Sequence, residues 1–274
     1  MSGIRRPWAN GMAGVLSLVY LLPLCWIVLS ALKDDDVIRG APNALAFTPS
    51  LDTFRDVIDL GGSAILVSAR IAIATTLIVI VLAVPAAYAV SWLPSRRWRR
   101  IATAALAVLM VLQMVPQPMA VIPLFSILAK WRLIGNVAGV VMADVALLLP
   151  FAILLLRPFV MGIPKDLYEA ADLDGATGFQ RFRLLVLPLV ANGILTVGAI
   201  VFILAWGEFI YATTFLTEQS RLPVSGLLAQ QTNLYSVAWN RLMALAVLTA
   251  LPLLLVFVVA QRRLVQGLSV GAVK

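Results

Sequence analysis

Two carboxylates, Asp144 and Glu208, stand inside long apolar runs of this chain. An acid in such a setting is costly, so each is expected to serve a hydrated path, a gate, a proton relay or a buried hydrogen bond. Glu208 follows Trp206-Gly207, where the glycine permits close helix approach or a local break. For Glu208 both readings stand, a path-lining acid and a packing hydrogen bond. For Asp144 the structural reading leads. Gln113 and the run Pro116-Gln117-Pro118 interrupt another apolar stretch. Prolines there free backbone carbonyls, which favours a kink or an unwound turn able to line a cavity. Gln113, Gln117, Asp144, Trp206 and Glu208 are the candidates for a translocation path or gate.

A second polar centre has different chemistry. Glu169-Ala-Ala-Asp-Leu-Asp-Gly-Ala-Thr-Gly178, followed by Gln180-Arg-Phe-Arg183, carries mixed charge and glycine between two apolar stretches. It is expected to dock on something outside the bilayer. Pro164 is a good residue to open a helix, placing Glu169, Ala170, Leu173 and Asp174 on one face, with Gly175 and Gly178 ending it. Two alanines beside a carboxylate make a knob that seats closely in a groove. The chain has no histidine and one cysteine, Cys25, so no metal site and no common general base is expected. No G-x-x-x-x-G-K-[ST] loop is present to cradle phosphates, so no catalytic residue is assigned and any nucleotide hydrolysis is left to a partner.

The elements that position these residues follow from composition. Hydrophobic residues make up 62% of the 274 residues and charged ones 12%, which a water-exposed surface could not carry. An all-α integral membrane protein is expected. Six runs, near 11–32, 64–93, 101–129, 133–157, 188–216 and 240–261, are each long enough to cross a hydrocarbon core of about 30 Å, which takes roughly 20 helical residues. They are continuous rather than alternating, which selects helices over a barrel. The first run lacks a clean cleavage site and is expected to be retained. The net charge of +8 is explained by topology and anionic lipid rather than by nucleic acid.

Counting Lys and Arg between the runs places both termini in the cytoplasm. The larger share, including Arg96–Arg100, Lys165, Arg181, Arg183 and Arg262, then lies inside. The same count puts the Glu169 segment in the cytoplasm. It leaves two external loops, about 33–63 and 217–239, and the tail 264–274 inside. Ser50 is expected to cap a short amphipathic helix within the first loop. Trp8, Trp92, Trp98, Trp131 and Trp239 fall near expected interfaces, as belt anchors do. With no repeat or water-soluble segment, residues 1–274 read as one transmembrane domain.

Several motifs in order resemble the maltose-type permease subunits of carbohydrate ABC importers, the binding-protein-dependent inner-membrane components. They are Leu22-Pro-Leu and Leu32-Lys33, Ala86-Ala-Tyr-Ala89, Pro123-Leu124, Leu133-Ile-Gly-Asn136 and Ile163-Pro-Lys-Asp-Leu-Tyr-Glu-Ala-Ala171. Asp174-Gly175 follows, with Leu187-Pro188 twelve residues after the glycine, then Trp206-Gly-Glu-Phe209 and Gly267-Leu-Ser-Val-Gly-Ala-Val-Lys274. Gly207 stands where the family usually has asparagine.

The resemblance implies the six-helix type I importer fold in a bacterial cytoplasmic (inner) membrane. It also implies a second, different permease subunit, an ATPase dimer carrying ATP and Mg, an external solute-binding lipoprotein or periplasmic protein, and a sugar-type substrate. This chain would bind no cofactor itself. Lys165, Asp166, Glu169, Ala170, Ala171, Asp174, Gly175 and Arg181 would couple to the ATPase. The terminal Gly267, Gly271 and Lys274 would reach into the ATPase dimer. The external loops would meet the binding protein at Asp52 and Arg55, and at Gln230, Asn233 and Tyr235. A proton-coupled carrier using Asp144 and Glu208 is the rival reading, and it leaves the Glu169 segment without a role.

Overall fold

The computed structural model describes the backbone of residues 7–92, 95–218, 222–232 and 237–272, and the chain is all-α there apart from an isolated bridge between Thr232 and Val237. In order the helices are α1 (Pro7–Ala31), α2 (Asp35–Gly40), α3 (Asp52–Ser91), α4 (Arg96–Leu112), α5 (Gln117–Lys130) and α6 (Val137–Met161). Then come α7 (Lys165–Leu173), α8 (Gly178–Gln180), a π-helical stretch (Arg181–Val186) and α9 (Leu187–Leu189). The chain finishes with α10 (Ala191–Trp206), α11 (Ile210–Phe215), α12 (Val224–Gln230) and α13 (Trp239–Ala272).

Among the described residues, four helical segments are long and apolar enough to cross a membrane: Gly11–Ala31, Gly61–Ser91, Val137–Met161 and Trp239–Gln261. A fifth span results if Gly178–Leu189 and Ala191–Trp206, bent by 71° at their junction, are taken together. The third expected span, 101–129, is divided. Pro116 has no N–H to continue α4, and Pro118 sits in the first turn of α5, where its missing donor costs nothing. The run expected at 188–216 ends as a long helix at Trp206, and its remainder forms the separate α11.

The Ser50 expectation also changes in detail. Ser50 Oγ accepts from the N–H of Asp52 at 3.3 Å, but the helix it precedes is the 40-residue α3, not a short loop helix. The second half of the expected external loop is therefore helical and continuous with the span. Likewise α13 stays helical through Gly267 and Gly271 to Ala272.

Contacts divide the chain into two units, residues 1–63 with 227–251, and residues 64–226 with 252–274. The first has a small core of Ala31, Val57, Ala244 and Leu245. Here Lys33 is buried, its Nζ donating to the Pro42 carbonyl at 2.8 Å and lying over the Trp26 ring. In the second unit α6 is the central span, with 56% of its most apolar window buried, against none for α1. One core joins Ala72, Ala83 and Ala87 of α3 to Ala152 and Leu156 of α6 and to Val197 and Val201 of α10. Another gathers Val67, Leu128, Val140, Ala143, Tyr211 and Phe215.

Small residues recur at these contacts because lipid tails are as apolar as the side chains. Helices then associate through close packing and hydrogen bonds rather than escape from water. Gly193 is a tight case between helices: a Cβ there would stand 2.5 Å from Cγ of Phe159.

Candidate coupling surface and membrane-embedded polar cleft

The polar segment after α6 is a short helix with an enforced end. Pro164 precedes α7, and Asp174 closes it. Gly175 has φ +74°, a left-handed conformation that L side chains resist. Two hydrogen bonds fold the chain back there, from the N–H of Ala176 to the carbonyl of Ala171 (2.9 Å) and from the N–H of Gly175 to that of Asp172 (3.1 Å). This is the Schellman arrangement, which satisfies carbonyls that a helix end leaves open.

Gly178 does not share in ending α7, contrary to the sequence expectation. It opens the next helix, because Thr177 caps it. Thr177 Oγ1 accepts from the N–H of Gln180 at 3.3 Å, and the Thr177 N–H donates to Gln180 Oε1 at 2.8 Å. Thr177-x-x-Gln180 is a capping-box signature legible in the sequence. Arg181 then pairs with Asp172 across the turn at 2.7 Å. The turn is tied at three points.

Lys165, Asp166, Glu169, Ala170, Asp174 and Gly175 are exposed, and Ala171 is half-buried. Arg181 is also half-buried and turned toward Asp172, so it braces the knob. Leu173 and Phe179 are 90% and 69% exposed, an apolar tip beside Glu169. The opposite face is seated. Tyr168 is buried with its ring centroid 3.8 Å from that of Trp92 at the end of α3, and Phe182 lies 5.6 Å from Tyr88. Burial pushes the Tyr168 phenol above its ordinary value. Trp92, expected as a belt anchor, packs against α7, a contact that no local pattern announces.

Inside the apolar region, the break between α4 and α5 does bring polar groups together. Gln113 Nε2 donates to the Leu147 carbonyl of α6. Gln113, Gln117, Ala143, Leu147, Pro150 and Tyr211 are among the residues around a cleft of about 190 Å³. Gln117 Nε2 donates to Glu208 Oε1 at 3.2 Å.

Glu208 lies in the break between α10 and α11 and satisfies the open end of α11. Its Oε1 accepts from the N–H of Tyr211 at 2.9 Å and its Oε2 from that of Ala212 at 2.7 Å. A carboxylate facing free N–H groups at a helix start is favourable both as a hydrogen-bond acceptor and against the helix dipole. The carbonyl of Glu208 accepts from the Ser225 hydroxyl at 2.5 Å, and Ser68 Oγ of α3 accepts from the N–H of Val224 at 3.0 Å. Ser68 and Ser225 escaped sequence reading, since each acts through a partner distant in the chain.

Asp144 is fully buried on α6, within electrostatic range of Glu208, and its Oδ2 has no hydrogen-bond partner among the described residues. Trp206 is buried and stacks with Phe202 at 5.8 Å, in the core rather than along the cleft.

The remaining candidates are peripheral. Asp52 and Arg55 form an exposed pair at 3.4 Å, and Gln230 is exposed at the end of α12. Asn233, Tyr235 and Lys274 lie outside the described residues, and no side chain is described for the stretch holding Gly267 and Gly271.

Comparison with known proteins bears on the whole chain. Residues 72–270 match the family described as binding-protein-dependent transport system inner membrane component. A trehalose transport system permease of Mycobacterium tuberculosis is 33% identical over 277 residues, spanning 99% of each chain. A diacetylchitobiose uptake system permease of Streptomyces coelicolor is 30% identical over 272 residues, covering 98% of this chain and 97% of its own. Among solved structures, a chain of a bacterial ABC transporter involved in import of the acidic polysaccharide alginate superposes with a TM-score of 0.78. It is 20% identical and covers 96% of this chain and 99% of its own, which speaks to the fold.

Proposed function

Because the chain belongs to the family of binding-protein-dependent transport system inner membrane components, we propose that it forms half of the translocation path of an ATP-driven importer for a sugar or sugar derivative. It does no covalent chemistry. A partner ATPase dimer holds ATP and Mg, a second permease subunit completes the path, and an external binding protein delivers the substrate. Both termini and α7 face the cytoplasm. Full-length relatives named for trehalose and diacetylchitobiose support the carbohydrate class.

The observation that carries the coupling role is α7 itself, an exposed knob whose turn is tied by the Schellman bonds, the capping box and the Asp172–Arg181 pair. ATP closes the ATPase dimer, α7 moves with it, and the spans on either side follow as a two-state bundle. Glu169 meets a basic group on the ATPase, and leaving that group unpaired costs roughly 2–5 kcal/mol.

The test is reconstitution of the whole importer with Glu169→Arg. Substrate-stimulated ATP hydrolysis is expected to fall at least tenfold while the chain still inserts. Undiminished stimulation would remove α7 from the coupling path. The proton-carrier reading is not favoured, since it gives the Glu169 segment no part to play.

A further inference from the structure

Arg70 lies on α3 within the membrane-spanning stretch Gly61–Ser91, exposed, with no carboxylate or hydrogen-bond partner among the described residues. It borders a groove of about 740 Å³ between α3 and the start of α6, whose other walls are aliphatic or methionine side chains including Leu66, Ile73, Leu77, Val141 and Met142. An unpaired cation facing hydrocarbon is among the costlier arrangements a membrane protein can hold. Something must neutralise it.

Depth identifies the source of the charge. The stretch has 31 residues, about 46 Å at 1.5 Å per residue, against a hydrocarbon core of about 30 Å. Centred, it overhangs by about 8 Å at each end, so the boundary falls near Leu66 and Arg70 lies only about 6 Å inside it. A long arginine side chain reaches back across that depth to the headgroups. Its planar fork of donors matches a phosphate in a way a compact ammonium does not.

We propose that Arg70 and the adjoining α3–α6 groove bind an anionic phospholipid, the guanidinium on its phosphate and one acyl chain along the aliphatic wall. Only a ligand with one anionic end and a long apolar tail satisfies both halves of the feature. A protein helix seated there would need to bring a carboxylate to Arg70, and the groove offers no other polar side chain to orient it. The net charge of +8 favours anionic lipid around the chain generally. The proposal needs only that α3 spans a bilayer, so it stands or falls apart from the transported substrate.

The complete importer, purified in mild detergent and given phosphatidylglycerol or phosphatidylcholine, would be examined by native mass spectrometry. Wild type is expected to retain phosphatidylglycerol in preference to phosphatidylcholine. Arg70→Gln should reduce retained phosphatidylglycerol at least fivefold, and Arg70→Lys should reduce it less. Ala74→Leu, which fills the groove and leaves the charge, should lower retention of both lipids. Equal phosphatidylglycerol retention by wild type and Arg70→Gln overturns the proposal. So does loss of the second permease subunit from Arg70→Gln at unchanged lipid content, which would give the groove to a partner helix.

Discussion

The rings of Tyr168 and Trp92 meet with centroids 3.8 Å apart, joining α7 to the end of α3. Phe182 on Tyr88 makes a second such contact, at 5.6 Å. Under the proposed coupling role, movement of α7 would pass to α3 through these packed rings as well as along the backbone to α6. Aromatic pairs of this kind contribute about 0.5–1.5 kcal/mol beyond the area they bury.

Trp92→Ala is therefore expected to raise the ATP consumed per substrate imported severalfold in the reconstituted complex, with Trp92→Phe near wild type. An unchanged ratio in Trp92→Ala would show that α3 takes no part in coupling.

The buried Tyr168 hydroxyl makes no well-formed hydrogen bond among the described residues, although the Trp92 side chain lies near it. Leaving a buried polar group unsatisfied costs about 1–3 kcal/mol. Tyr168→Phe keeps the ring contact and removes the orphan, so the purified complex should melt at the same temperature or slightly higher. A clear fall in melting temperature would mean the hydroxyl has a partner in the assembly.

At Gly175 nothing lies within 4 Å of an added Cβ, so the objection to a side chain is conformational. Gly175→Val should cost about 1–2 kcal/mol from the left-handed backbone alone, and more for a branched residue. Gly175→Asn should be tolerated, since asparagine visits that region more readily. The measurement is coupled transport at equal amounts of assembled complex. If valine and asparagine behave alike, the turn does not require φ +74°.

Gly193 makes the opposite case, because its constraint is space. Gly193→Ala pushes a methyl into the Phe159 ring and should destabilise by about 1–3 kcal/mol, read as a lower melting temperature of the complex. Phe159→Leu in the same chain should recover part of that loss. Independent, additive effects would sink the claim that this contact sets the α6–α10 approach.

Glu208 is the remaining test. Glu208→Ala leaves the Tyr211 and Ala212 N–H groups and the Gln117 amide without their acceptor, a loss of at least about 2 kcal/mol. Glu208→Gln retains one oxygen and should cost less. Should both assemble with wild-type stability yet fail in transport, the acid acts on substrate rather than as a cap.

The apolar run lengths, the break at Pro116 and Pro118, the helix stop at Gly175 and the capping box at Thr177 are local facts. Each depends on residues within a few positions, which is why sequence alone determined the all-α membrane class and the stop at Gly175, although the Thr177 box went unread and Gly178 was assigned to the wrong helix. Sequence could not say that α3 would begin at Asp52 rather than in the apolar run, since a polar amphipathic turn continues a helix as readily as it ends a loop. Only the tertiary structure decided that Trp92 would seat on Tyr168, that Gln117 would find Glu208, and that Trp206 would turn into the core. Those pairings join residues far apart in the chain. In a medium as apolar as the side chains, shape and hydrogen-bond geometry between helices select the partners, and neither is written in any one helix.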